Sequence, residues 1–140
     1  MSIPITLLGL DVGRVRIGVA ISDEAGRVIS AVGTFARSKG TAEDKIKALI
    51  SERGVGRIVV GLPLNQNGGR TEQCEDVENF CRRLERRIPV PIVFVDEHLT
   101  SEAAKERLVS KGRFDPKKDK ELIDATAAII ILEDYFNLKR

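Results

Sequence analysis

Two acidic residues lie in segments where an ionised side chain is energetically costly. Asp11 lies in an apolar, strand-like run that carries no other charge, and Asp124 lies in the segment 122–132, which is apolar on nearly every helical face. A buried carboxylate needs a cation or a donor to replace its hydration, so both are candidate metal ligands. The local alternatives are that Asp11 is a turn residue ahead of Gly13, and that Asp124 is a first-turn acid favoured by the helix dipole.

A third acidic position follows the apolar run 91–95, where Asp96 and Glu97 are adjacent. Neighbouring side chains of an extended chain point to opposite faces, so only one of the two can reach a given ligand. We expect Glu97 to be that residue, with Asp96 as support. The alternative is that one of the two, above all Asp96, caps the helix that begins near Thr100.

Oxygen ligands from Asp11, Glu97 and Asp124 suit Mg²⁺ or Mn²⁺ and do not suit a structural zinc site. The sequence contains a single histidine, His98, and two cysteines that lack zinc-ligand spacing. The sequence therefore does not favour a His/Cys zinc cluster or a Ser-His-Asp triad. The two cysteines also lie too far apart along one predicted helix to form a disulfide.

Two further segments could contact a polyanion. The loop 61–71 combines glycines, amide side chains and Arg70 ahead of a helix start, which is typical of an anion site, although it matches no Walker motif. The segment 111–120 concentrates positive charge, including Lys117 and Lys118, and could follow a nucleic-acid backbone. The alternatives are an ordinary strand-to-helix connection and a solvated charged loop. Aromatic residues make up only 4% of the chain, which disfavours recognition by base stacking.

The candidate site residues can lie close together only if a sheet brings the ends of their strands to one edge. Apolar runs at 4–12, 15–22 and 27–35 predict an antiparallel meander, and runs at 57–61 and 91–95 predict buried parallel strands. Helical periodicity and capping signals predict helices over 41–54, 71–87, 100–111 and 120–136. Thr41 and Asp44, three residues apart, resemble a capping box at the start of the first helix.

The order βββαβαβα, followed by a last helix, predicts an α/β fold with a mixed five-stranded sheet and flanking helices. The fourth and fifth strands should run parallel to the first. Ligands of such sheets gather at the carboxyl ends of the parallel strands, which is where Asp11 and Glu97 would lie.

The bulk properties restrict the class of protein. A length of 140 residues with 42% hydrophobic and 31% charged residues predicts one globular domain over 1–140. The formal charge of +2 does not by itself indicate a polyanionic partner. The apolar runs are too short to span a bilayer and the start lacks the basic segment of a secretory signal, so we expect a cytoplasmic protein with no membrane partner.

Four motifs in order resemble those of the YqgF family, also called RuvX: Gly9-Leu-Asp-Val-Gly with Arg16-Ile-Gly-Val-Ala, Val60-Gly-Leu-Pro-Leu-Asn, Val95-Asp-Glu-His-Leu-Thr and Ile123-Asp-Ala-Thr-Ala-Ala. These bacterial proteins are regarded as pre-16S rRNA nucleases and as relatives of Holliday junction resolvases. The resemblance implies an RNase H-like fold, a cytoplasmic location and trimming of the 5′ end of the small-subunit rRNA precursor. It also places the acidic site on Asp11, Glu97 and Asp124.

Two positions depart from the family pattern. Val15 stands where the family often has Lys, and His98 stands where it usually has Arg. Both departures bear on substrate contacts more than on the metal site.

The resulting hypothesis is a nuclease that uses two Mg²⁺ or Mn²⁺ ions to activate water and to stabilise the leaving oxygen. Asp11 would lie between the ions, with Glu97 and Asp124 each completing one coordination shell. Arg16, Asn65 and the basic segment would hold the backbone of a pre-rRNA or of the small-subunit precursor.

Two alternatives stay open: a DNA junction resolvase, which would act as a dimer, and a non-catalytic nucleic-acid-binding module. The sequence leaves the choice between monomer and homodimer open. An ATP-binding module of the actin or sugar-kinase type is disfavoured because such proteins need a second domain.

Overall fold

The computed structural model describes residues 5–97, 100–112, 115 and 119–139, and His98, Lys117 and Lys118 lie outside this part. The strands are β1 (Thr6–Val12), β2 (Arg16–Ser22), β3 (Ile29–Ala36), β4 (Val55–Pro63) and β5 (Ile92–Glu97). The helices are α1 (Thr41–Arg53), α2 (Glu72–Glu85), α3 (Thr100–Ser110) and α4 (Lys120–Lys139). The predicted order of strands and helices is confirmed.

The five strands form one mixed sheet in the order β3-β2-β1-β4-β5. β2 pairs antiparallel with both β1 and β3, whereas β4 runs parallel to β1 and β5 runs parallel to β4. The predicted strand directions are therefore confirmed. Because β1 is the central strand, its carboxyl end places Asp11 at the middle of one edge of the sheet.

The two faces of the sheet are covered by different helices. One face buries alternate residues of β1, β2 and β4 against α1 and α2, with Phe80 and Leu84 of α2 almost wholly enclosed. The other face buries Leu7, Ala20 and Val59 against Ala128, Ile131, Leu132 and Tyr135 of α4. A smaller cluster joins α3 to α4. This three-layer arrangement makes α4 the helix that covers the Asp11 face, because Asp11 alternates with Gly9 and Leu7 along β1.

Glycines in the strands let α4 approach the sheet closely. A β-carbon on Gly18 would overlap the backbone carbonyl of Asp124, and one on Gly9 would lie 2.9 Å from the carbonyl oxygen of Ala128. A β-carbon on Gly61 would lie 2.6 Å from Cδ1 of Ile131. An interior glycine in a strand commonly marks such a close approach. These three positions therefore set the distance between α4 and the sheet.

Several element ends differ from the predicted ones. The predicted capping box of α1, formed by Thr41 and Asp44, is wrong because the cap is Gly40 in a left-handed conformation, with φ of 72°. Asp44 instead pairs with Arg87, 2.6 Å away. β4 is longer than predicted at both ends, and α4 extends beyond 136 to Lys139. None of these shifts moves an acidic site residue to another element.

The start of α2 is fixed by a capping box. The side chain of Thr71 accepts a hydrogen bond from the backbone N–H of Cys74 at 3.2 Å, and the Cys74 sulfur accepts one from the N–H of Thr71. Cys74 and Cys81 are both buried and free, as predicted from their separation along the helix. Burial raises the pKa of the Cys81 thiol to about 12, which makes it a core residue rather than a nucleophile.

None of the helices within the described residues is long and apolar enough to cross a bilayer.

Candidate active site

Asp11 lies on the α4 face at the carboxyl end of the central strand. It pairs across β1 and β2 with Gly18, and the nearby N–H of Gly13 donates to the carbonyl of Arg16 at 3.0 Å. The alternative of Asp11 as a turn residue therefore does not hold. Burial raises the pKa of Asp11 to about 7, and the negative charge of Asp124 contributes to the rise. The carboxyl group is thus held in a place where its ionised form lacks compensation.

Asp124 projects from α4 toward the same edge. It is the fifth residue of the helix, and the acid in the first turn is Glu121. Asp124 is consequently not the first-turn acid of the alternative interpretation. Its carboxylate accepts a hydrogen bond from Nε of Arg16 in a partly exposed ion pair, with 35% of the Arg16 side chain and 21% of the Asp124 side chain accessible. Asp11 and Asp124 therefore face one another with Arg16 beside them.

Glu97 ends β5 on the same face of the sheet. Its Cγ lies 3.3 Å from the position of a β-carbon on Gly61, where Ile131 of α4 also approaches. The carbonyl of Glu97 accepts a hydrogen bond from the N–H of Leu64 at 2.7 Å, which anchors the strand end. Asp96 is exposed and, by alternation along the strand, points to the opposite face. The structure thus places Glu97, and not Asp96, on the face that carries Asp11.

The three predicted carboxylates share one edge but do not form a closed cage. Among the described residues, no three His, Cys, Asp or Glu side chains stand close enough together to hold a metal ion as a group. Asp11 and Asp124 are the pair whose charges interact, and Glu97 extends from β5, two strands away from β1. A cation between Asp11 and Asp124 would offset both the burial and the repulsion that raise the pKa of Asp11. The donor chemistry of this pair fits a hard divalent cation.

A groove of about 210 Å³ opens beside the pair, lined by Gly13, Arg14, Val15, Arg16 and Asp124. Val15, which departs from the family pattern, is 73% exposed at the turn between β1 and β2. The groove therefore offers two arginines to a ligand that approaches Asp124 from solvent.

Arg37 holds the turn that forms this groove, a role that sequence reasoning missed. Its Nη1 donates to the carbonyl of Gly13 at 2.8 Å and to Asp76 of α2 at 2.7 Å, and its guanidinium lies 5.1 Å from the centroid of the Phe80 ring. The Arg37 side chain is only 13% exposed. The hydrogen bond from Arg37 holds the pKa of Asp76 below its usual range. Nothing in the local sequence pattern signals this contact, because its partners lie on other elements.

Like Arg16, two other residues predicted to bind nucleic acid, Asn65 and Arg70, have partners within the fold. The Asn65 side-chain oxygen accepts hydrogen bonds from the N–H groups of Asn67 at 2.9 Å and Gly69 at 2.8 Å. Asn65 therefore shapes the loop between β4 and α2. Arg70 is exposed and forms an ion pair with Glu78, which raises the pKa of Arg70. Such a surface pair is weak and can open when another anion competes.

The chain is similar in sequence to a well-populated family. A family model described as "RuvX: Holliday junction resolvase" matches residues 5–138. A relative from Thermoanaerobacter pseudethanolicus is 39% identical over 96% of this chain and 97% of its own length. Relatives from Chloroflexus aggregans and Synechocystis sp. are 44% and 40% identical, over 96% and 100% of this chain and 95% and 92% of their own lengths. All three carry the name "Putative pre-16S rRNA nuclease".

Two solved structures share the fold. Thermus thermophilus RuvC superimposes with a TM-score of 0.59 at 12% identity, over 96% of this chain and 97% of that chain. The same protein in complex with a Holliday junction substrate gives a TM-score of 0.59 at 13% identity, over 96% of this chain and 95% of that chain. Because the sequence identities are this low, the superpositions carry information about the fold alone. They confirm the predicted RNase H-like fold.

Proposed function

Because the chain belongs to the RuvX family, we propose that it is a divalent-metal-dependent nuclease that trims the 5′ end of precursor 16S rRNA in the cytoplasm. The names of the relatives support this substrate, and their nearly full-length match supports one nuclease domain over residues 1–140. The reaction class is hydrolysis of a phosphodiester bond.

The observation that carries the metal requirement is the approach of Asp11 and Asp124. Burial and the negative charge of Asp124 both raise the pKa of Asp11, so the ionised form of Asp11 is unfavourable without a counter-charge. We therefore propose that Asp11 and Asp124, with Glu97, would hold Mg²⁺ or Mn²⁺, as one or two ions.

When bound, the cations supply the positive charge that activates an attacking water and stabilises the leaving oxygen. The chain's own groups position the substrate. Arg16 reaches into the groove beside Asp124, and Arg70 is exposed at the loop before α2. Lys117 and Lys118 precede α4 in sequence and add positive charge for a nucleic-acid backbone. Asn65 contributes by holding the loop that carries Arg70.

A second candidate function is favoured by the fold comparison. The family model is described as a Holliday junction resolvase, and one of the similar structures contains a junction substrate. The same carboxylates would serve that reaction, but cutting both strands of a junction needs two active sites and hence a homodimer. The two candidate functions therefore differ in substrate and in oligomeric state: the resolvase requires a dimer that cuts a DNA junction, whereas the rRNA nuclease could act on RNA as a monomer.

The test offers a 5′-extended rRNA precursor and a four-way DNA junction side by side, with Mg²⁺ or Mn²⁺ and with EDTA. Wild type is compared with Asp11→Asn and with Asp96→Asn, which removes an exposed carboxylate from the opposite face. We expect metal-dependent cleavage of the RNA by wild type and Asp96→Asn and none by Asp11→Asn.

Cleavage of the junction alone would replace the rRNA proposal with the resolvase. Equal turnover by Asp11→Asn would contradict the metal site. Cleavage of neither substrate, together with RNA binding that is insensitive to EDTA and to Asp11→Asn, would identify a non-catalytic binding module.

A further inference from the structure

Arg16 contacts the candidate metal ligand Asp124 directly. Arg16 is the first residue of β2 and lies on the same face of the strand as Gly18, over which Asp124 packs. The contact uses Nε, and within the described residues the terminal nitrogens of the guanidinium make no hydrogen bond. Arg16 therefore keeps its terminal N–H donors for a further partner in the groove.

A divalent cation and Arg16 compete for the same carboxylate. The Asp124 oxygen that would coordinate a cation shared with Asp11 is the one already bonded to Arg16, or lies beside it on the same carboxyl group. A cation bound to Asp124 would repel the positively charged guanidinium of Arg16 beside it. Binding of a cation thus favours a position of the guanidinium away from Asp124, toward the open side of the groove.

Once it has left Asp124, the guanidinium of Arg16 is suited to bind a phosphodiester. Its planar set of donors binds the oxygens of a phosphodiester in bidentate fashion, and the groove is accessible to solvent. Arg14 in the same groove adds a second positive charge. A nucleic-acid phosphate that approaches the cation from this side would therefore find Arg16 free to bind it.

Resting on the proposed function, we propose that Arg16 exchanges partners: it binds Asp124 when no cation is present and a nucleic-acid phosphate when a divalent cation occupies Asp11 and Asp124. Each ligand then favours the other, because the cation frees Arg16 for the phosphate and the phosphate holds Arg16 away from the metal site. The exchange makes cation and nucleic-acid binding cooperative.

The first test observes Arg16 in the wild-type protein. The Nε–H signal of Arg16 is identified by NMR through its loss in Arg16→Lys, and Mg²⁺ is then titrated in the absence of nucleic acid. We expect this signal to move with the same saturation curve as the backbone signals around Asp11. The Arg87 signal serves as the internal control, because its partner Asp44 lies on α1, on the other side of the sheet from α4. An Arg16 signal that stays fixed while Mg²⁺ binds would overturn the exchange.

The second test measures coupling. Calorimetry with Mn²⁺ alone should show affinity up to about fivefold tighter for Arg16→Gln than for wild type, the range expected when a partly exposed ion pair no longer competes. Arg14→Gln removes the same charge from the same groove and should leave the Mn²⁺ affinity near that of wild type. Equal affinities for all three proteins would contradict the competition.

The third measurement compares affinity for a labelled rRNA-precursor fragment in EDTA and in Ca²⁺, with the fragment checked for cleavage. The gain on adding Ca²⁺ should be smaller for Arg16→Gln than for wild type and Arg14→Gln. An undiminished gain would overturn the phosphate role of Arg16. Failure of any divalent ion to bind at Asp11 and Asp124 would overturn the proposed metal site as well, whereas ion binding without movement of Arg16 would overturn this inference alone.

Discussion

The backbone carbonyl of Asp124 lies directly over Gly18, at the place that a β-carbon of residue 18 would occupy. Gly18 is also the residue that pairs with Asp11 across β1 and β2. Of the three glycines that set the distance between α4 and the sheet, Gly18 is therefore the one that lies between Asp124 and the partner of Asp11. A side chain at residue 18 would move Asp124 away from Asp11.

Gly18→Ala should weaken both the fold and the site. The new methyl group would meet helix backbone, which cannot move aside as a flexible side chain can, so we expect destabilisation of roughly 1–3 kcal/mol and a large loss of nuclease turnover. Gly56→Ala is the control, because its methyl group would lie 3.1 Å from the Ile5 side chain, at the opposite end of β4 from the carboxylates. Urea unfolding and cleavage assays on both variants check this expectation. Equal losses for the two would contradict it.

The pKa of Asp11 predicts how stability depends on pH in the absence of metal. The folded-state pKa of about 7 lies above the ordinary value of 3.8, so between these two values the folded chain keeps a proton that the unfolded chain releases. The free energy of unfolding should therefore fall as pH rises from about 4 to about 7, by up to about 4 kcal/mol. Asp11→Asn should remove this part of the dependence and be more stable than wild type at pH 8.

Urea unfolding at pH 5 and pH 8 in EDTA measures the effect, with Asp96→Asn as the control because its side chain is exposed. Adding Mg²⁺ at pH 8 should raise the free energy of unfolding of the wild type more than that of Asp11→Asn. A wild-type curve that is parallel to that of Asp11→Asn across this range would show that Asp11 is not buried in an uncompensated state.

Glu97 and Asp96 should differ sharply in cleavage although they are adjacent. Groups that only orient metal ligands contribute about 10- to 100-fold, so loss of a ligand should cost at least about 100-fold in kcat. Glu97→Gln is expected to show that loss, whereas Asp96→Asn should retain turnover within about twofold. Steady-state kinetics with Mg²⁺ measures kcat for both variants. An inactive Asp96→Asn would show that the metal ligand lies on the strand face opposite to Glu97.

Arg37 should contribute more to stability than an exposed arginine in a similar ion pair. Arg37→Ala leaves the Gly13 carbonyl and Asp76 without their donor, so we expect a loss of about 1–3 kcal/mol. Arg87→Ala removes the comparable but exposed pair with Asp44 and should cost less than about 1 kcal/mol. Chemical denaturation of both variants tests the difference, and equal costs would show that the Gly13 contact does not stabilise the turn.

Local patterns were sufficient to predict the elements of this fold. Apolar runs with turn residues between them identify all five strands, and alternation along the strand indicates that only one of Asp96 and Glu97 can face a given ligand. The apolar surroundings of Asp124 indicated a buried carboxylate. Element ends were less predictable, because the start of α1 depends on the left-handed conformation of Gly40 rather than on a capping side chain.

The contacts that shape the site could not be predicted from local sequence patterns. Arg16 meets Asp124, and Arg37 meets Asp76, only because the strand order brings distant segments together. Gly18 could have been found, since a glycine inside an apolar strand signals close packing from above. The loop role of Asn65 also depends on a turn geometry that its sequence does not specify uniquely.

The carboxylate pair draws one member from the first strand and the other from the last helix, with every other element of the fold between them in sequence. A ribosome that is still synthesising the chain therefore carries no assembled site until α4 has emerged and docked on the sheet. Detachment of α4 from a finished chain would separate the pair in the same way. The pair proposed to hold the metal is thus brought together only while α4 is docked on the sheet.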